Sequence, residues 1–227
     1  MENTRYNYEL NSWQALLKMV AYLVSRGYYF WHVTYIPESK LHKASAIDKR
    51  LIKRYEAEKS KFQRARQKQK GEANFYYLRW RDVIVILHTN GKIKFKMEDQ
   101  FFDIRTKPLE FSISTLVSFV LRYHARKGGT GNFTWYLSKA TYKDLKVDIE
   151  DSARTKKMQY VYNAFNRFNA FPGYAGIVFQ KRELLNYLFK RATKHDLYYD
   201  KKNFVIKDKI NNKIKIWKEP DDEVQDS

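Results

Sequence analysis

The sequence predicts an α+β protein, with a mixed or antiparallel sheet and helices packed on one face. Two patterns alternate along its 227 residues: apolar side chains at helical spacing, and short runs of aromatic and β-branched residues typical of strands. After a first helix the predicted order is β-α-β-β, and a C-terminal β-hairpin closes the chain. Because 44% of the residues are hydrophobic, this length is sufficient for a sizeable core. We therefore expect a single basic domain over residues 1–218.

The N-terminal region predicts a helix followed by a buried strand. In LNSWQALLKMVAYLV, Ser12 is a suitable N-cap, and Leu16 and Leu23 lie along one helical face. Gly27 ends this helix. The run YYFWHVTYI then has the aromatic and β-branched composition of a buried strand, and Pro37 closes it.

Residues 44–70 predict one long amphipathic helix. Its apolar side chains fall in a sector about 80° wide, which predicts a face that packs on the core. These side chains are Ile47, Leu51, Tyr55, Phe62 and Ala65. A flank about 100° wide contains basic residues and no acid. The basic residues of this flank are Arg50, Lys53, Arg54, Lys61, Arg64 and Lys68.

The remainder predicts further strands, two helices and the closing hairpin. NFYYLRW and DVIVILHT have strand composition, and Asn90-Gly91 is typical of a tight turn leading into KIKFKM. LEFSISTLVSFVLRY and FTWYLSK continue as strands. Helical spacing then predicts a helix over residues 151–168 and a last helix over residues 177–192. Alternation in NFVIKD and KIKIWK predicts a C-terminal hairpin that turns at residues 211–212.

The charge of the chain is strongly positive and unevenly distributed. The formal net charge is +19, and the last ten residues carry −4, which leaves +23 on residues 1–217. Such an excess predicts an anionic partner, first nucleic acid and second an acidic membrane surface. A chain that is merely basic in composition is the alternative. We expect residues 219–227 to form a flexible acidic tail that competes with nucleic acid or only aids solubility.

Cysteine usage and hydropathy restrict the class of protein. The sequence contains no cysteine, which excludes disulfides and thiolate zinc sites. The most apolar stretch, residues 13–36, is interrupted by Lys18 and Arg26, so we expect no membrane span. The first ten residues lack the layout of a signal peptide. These features predict a cytoplasmic protein, nucleoid-associated if it binds DNA.

The densest cluster of charge is followed by a run of aromatic residues. Residues 59–70 contain six cations and no acid, and the strand NFYYLRW comes next. Basic side chains neutralise phosphates, and exposed aromatic rings stack on unpaired bases. Alternation places Phe75, Tyr77 and Arg79 on one face of that strand. One face is expected to be core, and the other either contacts bases or is buried as well. The predicted nucleic-acid-binding residues are Arg50, Lys53, Arg54, Lys61, Arg64, Arg66, Lys68, Lys70, Arg79, Arg122, Arg126 and Lys127.

The last two of these residues belong to a glycine-rich loop. The segment RKGGTGN, residues 126–132, combines two basic residues with three glycines, which lets backbone N–H groups approach a phosphate. It lacks the Gly-Lys-Ser/Thr ending of a nucleotide-binding loop. The prediction is a flexible hairpin tip at which Arg122, Arg126 and Lys127 hold a nucleic-acid backbone.

The histidines raise the alternative of a DNA-processing enzyme. The sequence His32-Val33-Thr34 resembles one half of the His-x-Thr/Ser signature of two-histidine phosphoesterases, and the second half is missing. The general layout also resembles rolling-circle replication initiators and relaxases, which join a metal-held phosphate to a helix-borne tyrosine, but their His-hydrophobe-His motif is absent. That resemblance implies four candidate catalytic residues, His32, His88, Tyr160 and Tyr162. A buried, hydrogen-bonded His32 is the structural alternative.

A metal site is not defined by the sequence. Metal-dependent nucleases need converging carboxylates near a lysine. Asp144 with Lys146 and Asp200 with Lys202 match a minimal acid-x-Lys pattern, which 25 acidic residues among so many lysines produce by chance. We predict no definite cofactor, and Mg²⁺ or Mn²⁺ only for a nuclease.

These observations predict a nucleic-acid-binding protein, with DNA favoured over RNA, that binds through the basic helix and the aromatic strands. We expect an accessory or processing factor of a plasmid, phage or transposable element. One alternative is an enzyme, either a metal-dependent DNA endonuclease or a tyrosine-type strand transferase. The other is a basic scaffold with protein partners in a nucleoprotein complex, such as a ribonucleoprotein.

Overall fold

The structure is a computed structural model that describes residues 6–125, 131–211 and 213–219. These residues belong to two compact units, which divide between residues 111 and 112; the C-terminal residues from 213 belong to unit 1. The described parts contain six α-helices and two antiparallel sheets, of four and three strands. The predicted α+β class is confirmed, although two sheets replace the predicted one. The single domain stays a prediction, and the tail beyond Glu219 lies outside the described residues.

Unit 1 begins with a helix and contains the four-stranded sheet. Its helices are α1 (Trp13–Ser25), α2 (Ala44–Arg54) and α3 (Lys61–Gln69), with a 3-10 turn at Glu38–Lys43. Its strands are β1 (Phe30–Tyr35), β2 (Phe75–Trp80), β3 (Val83–His88) and β4 (Phe102–Asp103), in the spatial order β2-β3-β1-β4. The N-terminal helix forms as predicted: the Ser12 side chain accepts a hydrogen bond from the Ala15 amide, and Gly27 ends the helix at a φ of +95°.

Both faces of the four-stranded sheet are covered at β2 and β3. Every residue of β3 is buried, whichever face it lies on. On one face, Tyr77 and Ile86 pack with Leu51 and Ile52 of α2, while α1 contacts β2. The sequence pattern predicted helices on one face of the sheet only, and this part of the prediction is wrong because residues on both faces are covered.

The predicted helix over residues 44–70 is wrong at its centre, because α2 ends at Arg54 and α3 begins at Lys61. Glu56 has a positive φ of 46°. The amides of Glu56 and Ala57 donate to carbonyls in the last turn of α2, at 3.2 and 2.9 Å, which is the Schellman pattern of a helix end. Tyr55 and Ala57 are both fully buried and fix this end in the core.

The second helix has a cap of its own. The Ser60 hydroxyl accepts from the Gln63 amide at 3.3 Å, and the Gln63 side chain accepts from the Ser60 amide at 2.7 Å. This reciprocal capping box starts a new helix with a new phase. Phe62 and Ala65, which helical spacing assigned to the core-packing sector, are consequently exposed.

Replacing Glu56 with Gly is expected to stabilise the protein by about 1 kcal/mol, because a left-handed residue with a Cβ is strained and glycine is not. The change in the midpoint of urea unfolding measures this. Lys49→Gly, inside α2, is the control and should destabilise by about 1 kcal/mol. A continuous helix through Glu56 would instead make both substitutions destabilising.

Unit 2 contains the three-stranded sheet and three helices. Its strands are β5 (Leu109–Ser112, which spans the boundary between the units), β6 (Ser118–Ala125) and β7 (Gly131–Leu137), in that spatial order. Its helices are α4 (Lys139–Arg154), α5 (Met158–Asn169) and α6 (Ala175–Lys194). The helices pack around a core that includes Phe165, Phe168, Leu184, Leu188 and Phe204. The predicted strand through residues 109–123 is two strands, because the Ile113 amide bonds the Val117 carbonyl at 2.9 Å and closes a turn.

The predicted C-terminal hairpin is wrong. Its first half stays with unit 2, where Phe204 is buried and the Lys207 amide bonds the Asn169 side chain at 2.8 Å. Its second half belongs to unit 1, where Trp217 forms a bridge with Leu10. The first half is hydrogen-bonded to the Asn169 side chain and the second half to the backbone at Leu10, so the two halves do not pair with each other.

None of the helices formed by the described residues is both long enough and apolar enough to cross a membrane.

Candidate nucleic-acid interface

The predicted binding residues fall into distinct structural groups. Six of them are exposed on and directly after α2 and α3, and none has a carboxylate of a described residue within ion-pair distance. We call these six the basic surface: Arg50, Lys53, Lys61, Arg66, Lys68 and Lys70. Among the residues of α2 and α3 only Asp48 is acidic, and it is fully buried; Glu56 and Glu58 lie between the two helices. The basic surface therefore presents uncompensated positive charge to solvent.

Arg64 points into the protein instead. Its guanidinium donates to the carbonyls of Phe75 and Ala57, both at 2.6 Å, and its Nε donates to the Lys59 carbonyl at 3.2 Å. The same group lies 4.6 Å from the centre of the Tyr76 ring. Arg64 thus joins α3 to β2 and satisfies carbonyls of the break between the helices, which leaves it outside the basic surface.

Arg79 is also an interior residue, only 7% exposed. Its Nε donates to the Asp48 carboxylate at 3.0 Å, and its Nη2 lies 2.8 Å from the Glu9 carboxylate. Tyr77 donates its hydroxyl to the other oxygen of Asp48 at 2.5 Å. Burial raises the pKa of Asp48, while Tyr77 and Arg79 act in the opposite direction. We therefore assign Arg79 to a buried ion-pair network.

The remaining predicted cations differ from these. Arg54 lies 3.0 Å from the Glu98 carboxylate. Arg122 is exposed in unit 2, with its guanidinium 4.0 Å from the centre of the Tyr136 ring. Arg126 and Lys127 lie outside the described residues, together with most of the glycine-rich loop.

The aromatic strand is not an exposed surface. Phe75, Tyr77, Leu78 and Trp80 are all buried, and Tyr76 is half-buried beside Arg64. The two faces that alternation distinguished are both interior faces. The aromatic residue that is exposed among the cations is Phe62, at 78%, which sequence reasoning placed in the core. The S-x-x-Q pattern of Ser60 and Gln63 is the sequence signal that would have found it.

His32 lies in a cleft of unit 1 with a volume of about 240 Å³. The cleft is also lined by Lys40, Arg50, Arg54 and Asp99. The Nδ1 atom of His32 is 3.0 Å from the Gln100 carbonyl oxygen. Because a carbonyl only accepts, Nδ1 carries a proton, and in the neutral ring the lone pair is on Nε2. Two predicted cations and one predicted catalytic histidine thus meet in one cleft.

Asp99 is the carboxylate in the lining of this cleft. It accepts a hydrogen bond from the hydroxyl of the buried Tyr55, and one of its oxygens lies 3.9 Å from Arg54. Burial and the adjacent Asp99 both raise the pKa of Tyr55 above its ordinary value, so the phenol remains a proton donor. Tyr55 and Arg54 therefore hold Asp99 at this position.

His88 has a different environment from His32. The two histidines are on paired strands, since β1 and β3 are neighbours, with Phe30 opposite His88. His88 is buried and stacks against Phe30 and Phe75, with ring centres 4.7 Å apart in each case. Burial lowers the pKa of His88. His88 is thus a core histidine beside the cleft and is not part of its lining.

The two candidate tyrosines belong to unit 2. Tyr160 is exposed on α5. Tyr162 stacks on Phe204, with ring centres 4.9 Å apart, and its hydroxyl accepts from the Asn203 side chain at 3.3 Å. The histidines belong to unit 1, so their joint action with the tyrosines stays a prediction.

A metal centre is not formed by the part of the chain that the structure describes. In residues 6–125, 131–211 and 213–219, no three His, Asp or Glu side chains are grouped so that they could hold an ion. Of the two acid-x-Lys matches, Asp144 is exposed on α4, and Asp200 accepts from the Lys202 amide at 2.9 Å as the cap of a 3-10 turn.

A second cleft, of about 370 Å³, runs beside α3. Arg26, Tyr28 and Tyr29, which follow α1 in sequence, form one side of its lining. Arg64, Ala65 and Lys68 of α3 form another. The cleft therefore combines aromatic rings with cations next to the basic surface.

Unit 2 contains a cleft of about 520 Å³ whose lining mixes cations with carboxylates. Arg191 lies 2.6 Å from Glu150, and Arg154 lies 3.6 Å from Asp151; Lys143, Lys146 and Lys194 also line the cleft. The two carboxylates of its lining distinguish it from the basic surface of unit 1.

Compared with protein-family models, with curated proteins and with solved structures, the chain has no match in any of the three.

Proposed function

We propose that this protein binds nucleic acid through the basic surface of α2 and α3. The observation that carries the proposal is the exposure of six cations without a carboxylate partner among the described residues. Nearby cations such as Lys59 and Lys94 do have such partners, Glu56 at 2.8 Å and Glu72 at 2.7 Å. Phosphates would relieve the repulsion within the basic surface and release bound counterions.

DNA is the first ligand of this proposal, in an accessory or processing role for a mobile element. A phosphate backbone attracts the basic surface in either nucleic acid, so RNA of the same sequence belongs in the same assay. Protein partners in a nucleoprotein complex are compatible with binding through one surface of unit 1.

Replacing Lys61, Arg66 and Lys68 with Gln is expected to weaken binding and flatten its salt dependence. The slope of log K against log salt should fall by about 1 for each cation that contacts a phosphate. Fluorescence anisotropy of labelled DNA and RNA between about 50 and 200 mM salt measures both quantities.

The matched control removes the same charge from unit 2. Lys143, Lys190 and Lys194 are exposed there, and their replacement with Gln should leave the slope unchanged. Equal effects of the two triple variants would show that net charge alone is responsible and would refute a binding site on α2 and α3.

A further inference from the structure

Phe62 is an exposed aromatic ring at the centre of the outward face of α3. Within α3 the partly buried side chains are Arg64 and Gln67. Arg64 marks the inward face of the helix, because it donates a hydrogen bond to the Phe75 carbonyl. Helical spacing of 100° per residue places Phe62 on the opposite side, next to Arg66. At 78% exposure, the ring makes almost no packing contribution to the fold.

Phe62 lies in a segment rich in positive charge. Residues 59–70 contain six cations and no acid, and the nearest acids in sequence on either side are Glu58 and Glu72. Single exposed apolar side chains are common on protein surfaces, so the informative feature of Phe62 is its position among cations. Charge complementarity favours a partner that is an anion with a flat apolar surface, and a nucleotide has both properties.

An exposed aromatic ring is suited to unpaired bases. In a duplex the faces of the bases are covered by their neighbours, whereas in a single strand they are free to stack on an aromatic side chain. The 370 Å³ cleft lies along the flank of α3 that carries Arg64, Ala65 and Lys68, with Arg26 and Tyr29 opposite; Ala65, three residues after Phe62, connects this flank to the exposed ring. The cleft is of the size that small-molecule sites in proteins have, which suits a neighbouring nucleotide.

We propose that α3 binds single-stranded nucleic acid, with one base stacked on Phe62 and the adjacent phosphates on Lys61, Arg66 and Lys68. This inference rests on the proposed function and adds the class of ligand. It assigns recognition of the single-stranded nucleic acid to an aromatic residue of α3 and not to the aromatic residues of the β-sheet.

The test is Phe62→Ala, measured with single-stranded and duplex DNA of the same sequence. Affinity for the single strand should fall by about 5- to 150-fold, the loss of one stacked base. Its salt slope should not change, because no charge is removed. Duplex affinity should be unchanged, and Phe62→Trp should restore single-strand binding with a change in tryptophan fluorescence on binding.

Phe179→Ala is the matched control, since Phe179 is a helical phenylalanine of unit 2 that is 53% exposed; it should bind like the unaltered protein. Equal losses for single strand and duplex, or none for either, would overturn the stacking role. The outcome separates the two proposals. If Phe62→Ala binds normally while the Lys61, Arg66 and Lys68 variant is weakened, only this inference fails. If the unaltered protein binds no nucleic acid, the proposed function fails as well.

Discussion

Replacing Lys181 with Met is expected to lower the free energy of unfolding by about 3–6 kcal/mol, from about 1–2 for each of three carbonyls left without a donor. Lys181 has no solvent exposure. Its ammonium donates to the carbonyls of Asn169 at 2.9 Å, Phe171 at 2.5 Å and Lys207 at 2.8 Å. One side chain thereby joins the end of α5 to the segment that follows α6. Urea unfolding followed by circular dichroism measures the loss.

The effect should depend on pH. Burial lowers the pKa of Lys181 to about 8, from an ordinary value of 10.5. Between these values the unfolded chain binds the proton and the folded chain does not, so the contribution of this group to stability rises with pH across that window. The difference in unfolding free energy between the unaltered protein and Lys181→Met isolates this contribution from other titrating groups.

Lys190→Met provides the control for Lys181, because Lys190 is exposed on the same helix. It should change stability by no more than about 0.5 kcal/mol. If Lys181→Met is no worse than Lys190→Met, the three carbonyls do not depend on this ammonium.

Replacing Asp48 with Ala is expected to cost about 3–5 kcal/mol, because it removes one of the two carboxylates that pair with the buried Arg79 guanidinium. Asp48 has no solvent exposure, and it also accepts the hydroxyl of Tyr77. Glu9 remains beside Arg79 at 2.8 Å, which retains part of the pairing. The midpoint of urea unfolding, read by tryptophan fluorescence, measures the cost.

A double variant tests whether the cost comes from the unpaired charge. Asp48→Ala together with Arg79→Met removes both members of the pair, and it should be more stable than Asp48→Ala alone. A double variant that loses the sum of the two single effects would instead assign the loss to packing.

Features with a local physical cause were predictable from the sequence. Ser12 caps α1 and Gly27 ends it because both act within a few residues of the helix. The strand containing His32 followed from its residue types, whereas its pairing with the strand of His88 is seen only in the structure. The excess of cations near residues 50–70 was predictable from composition and helical spacing alone.

The sequence contains a signal for the break between α2 and α3, but the regular spacing of apolar residues predicted a continuous helix. Apolar spacing from Ile47 to Ala65 favoured one helix, whereas Ser60 and Gln63 form a capping box in the structure. Glu56 did not indicate a helix end, because the left-handed residue at such an end is more often glycine. The error reversed the environment of Phe62, from core to solvent.

The rest was decided by tertiary structure, since it depends on groups distant in sequence. A count of cations does not distinguish Lys68, which faces solvent, from Arg79, whose partner Asp48 is 31 residues away. Alternation in the C-terminal region identified extended chain, but not that Trp217 would bridge to Leu10. Composition and periodicity therefore determined the α+β class and the basic character of the protein. The tertiary structure decided which cations remain in solvent, because each buried donor has to find an acceptor wherever the fold brings one within reach.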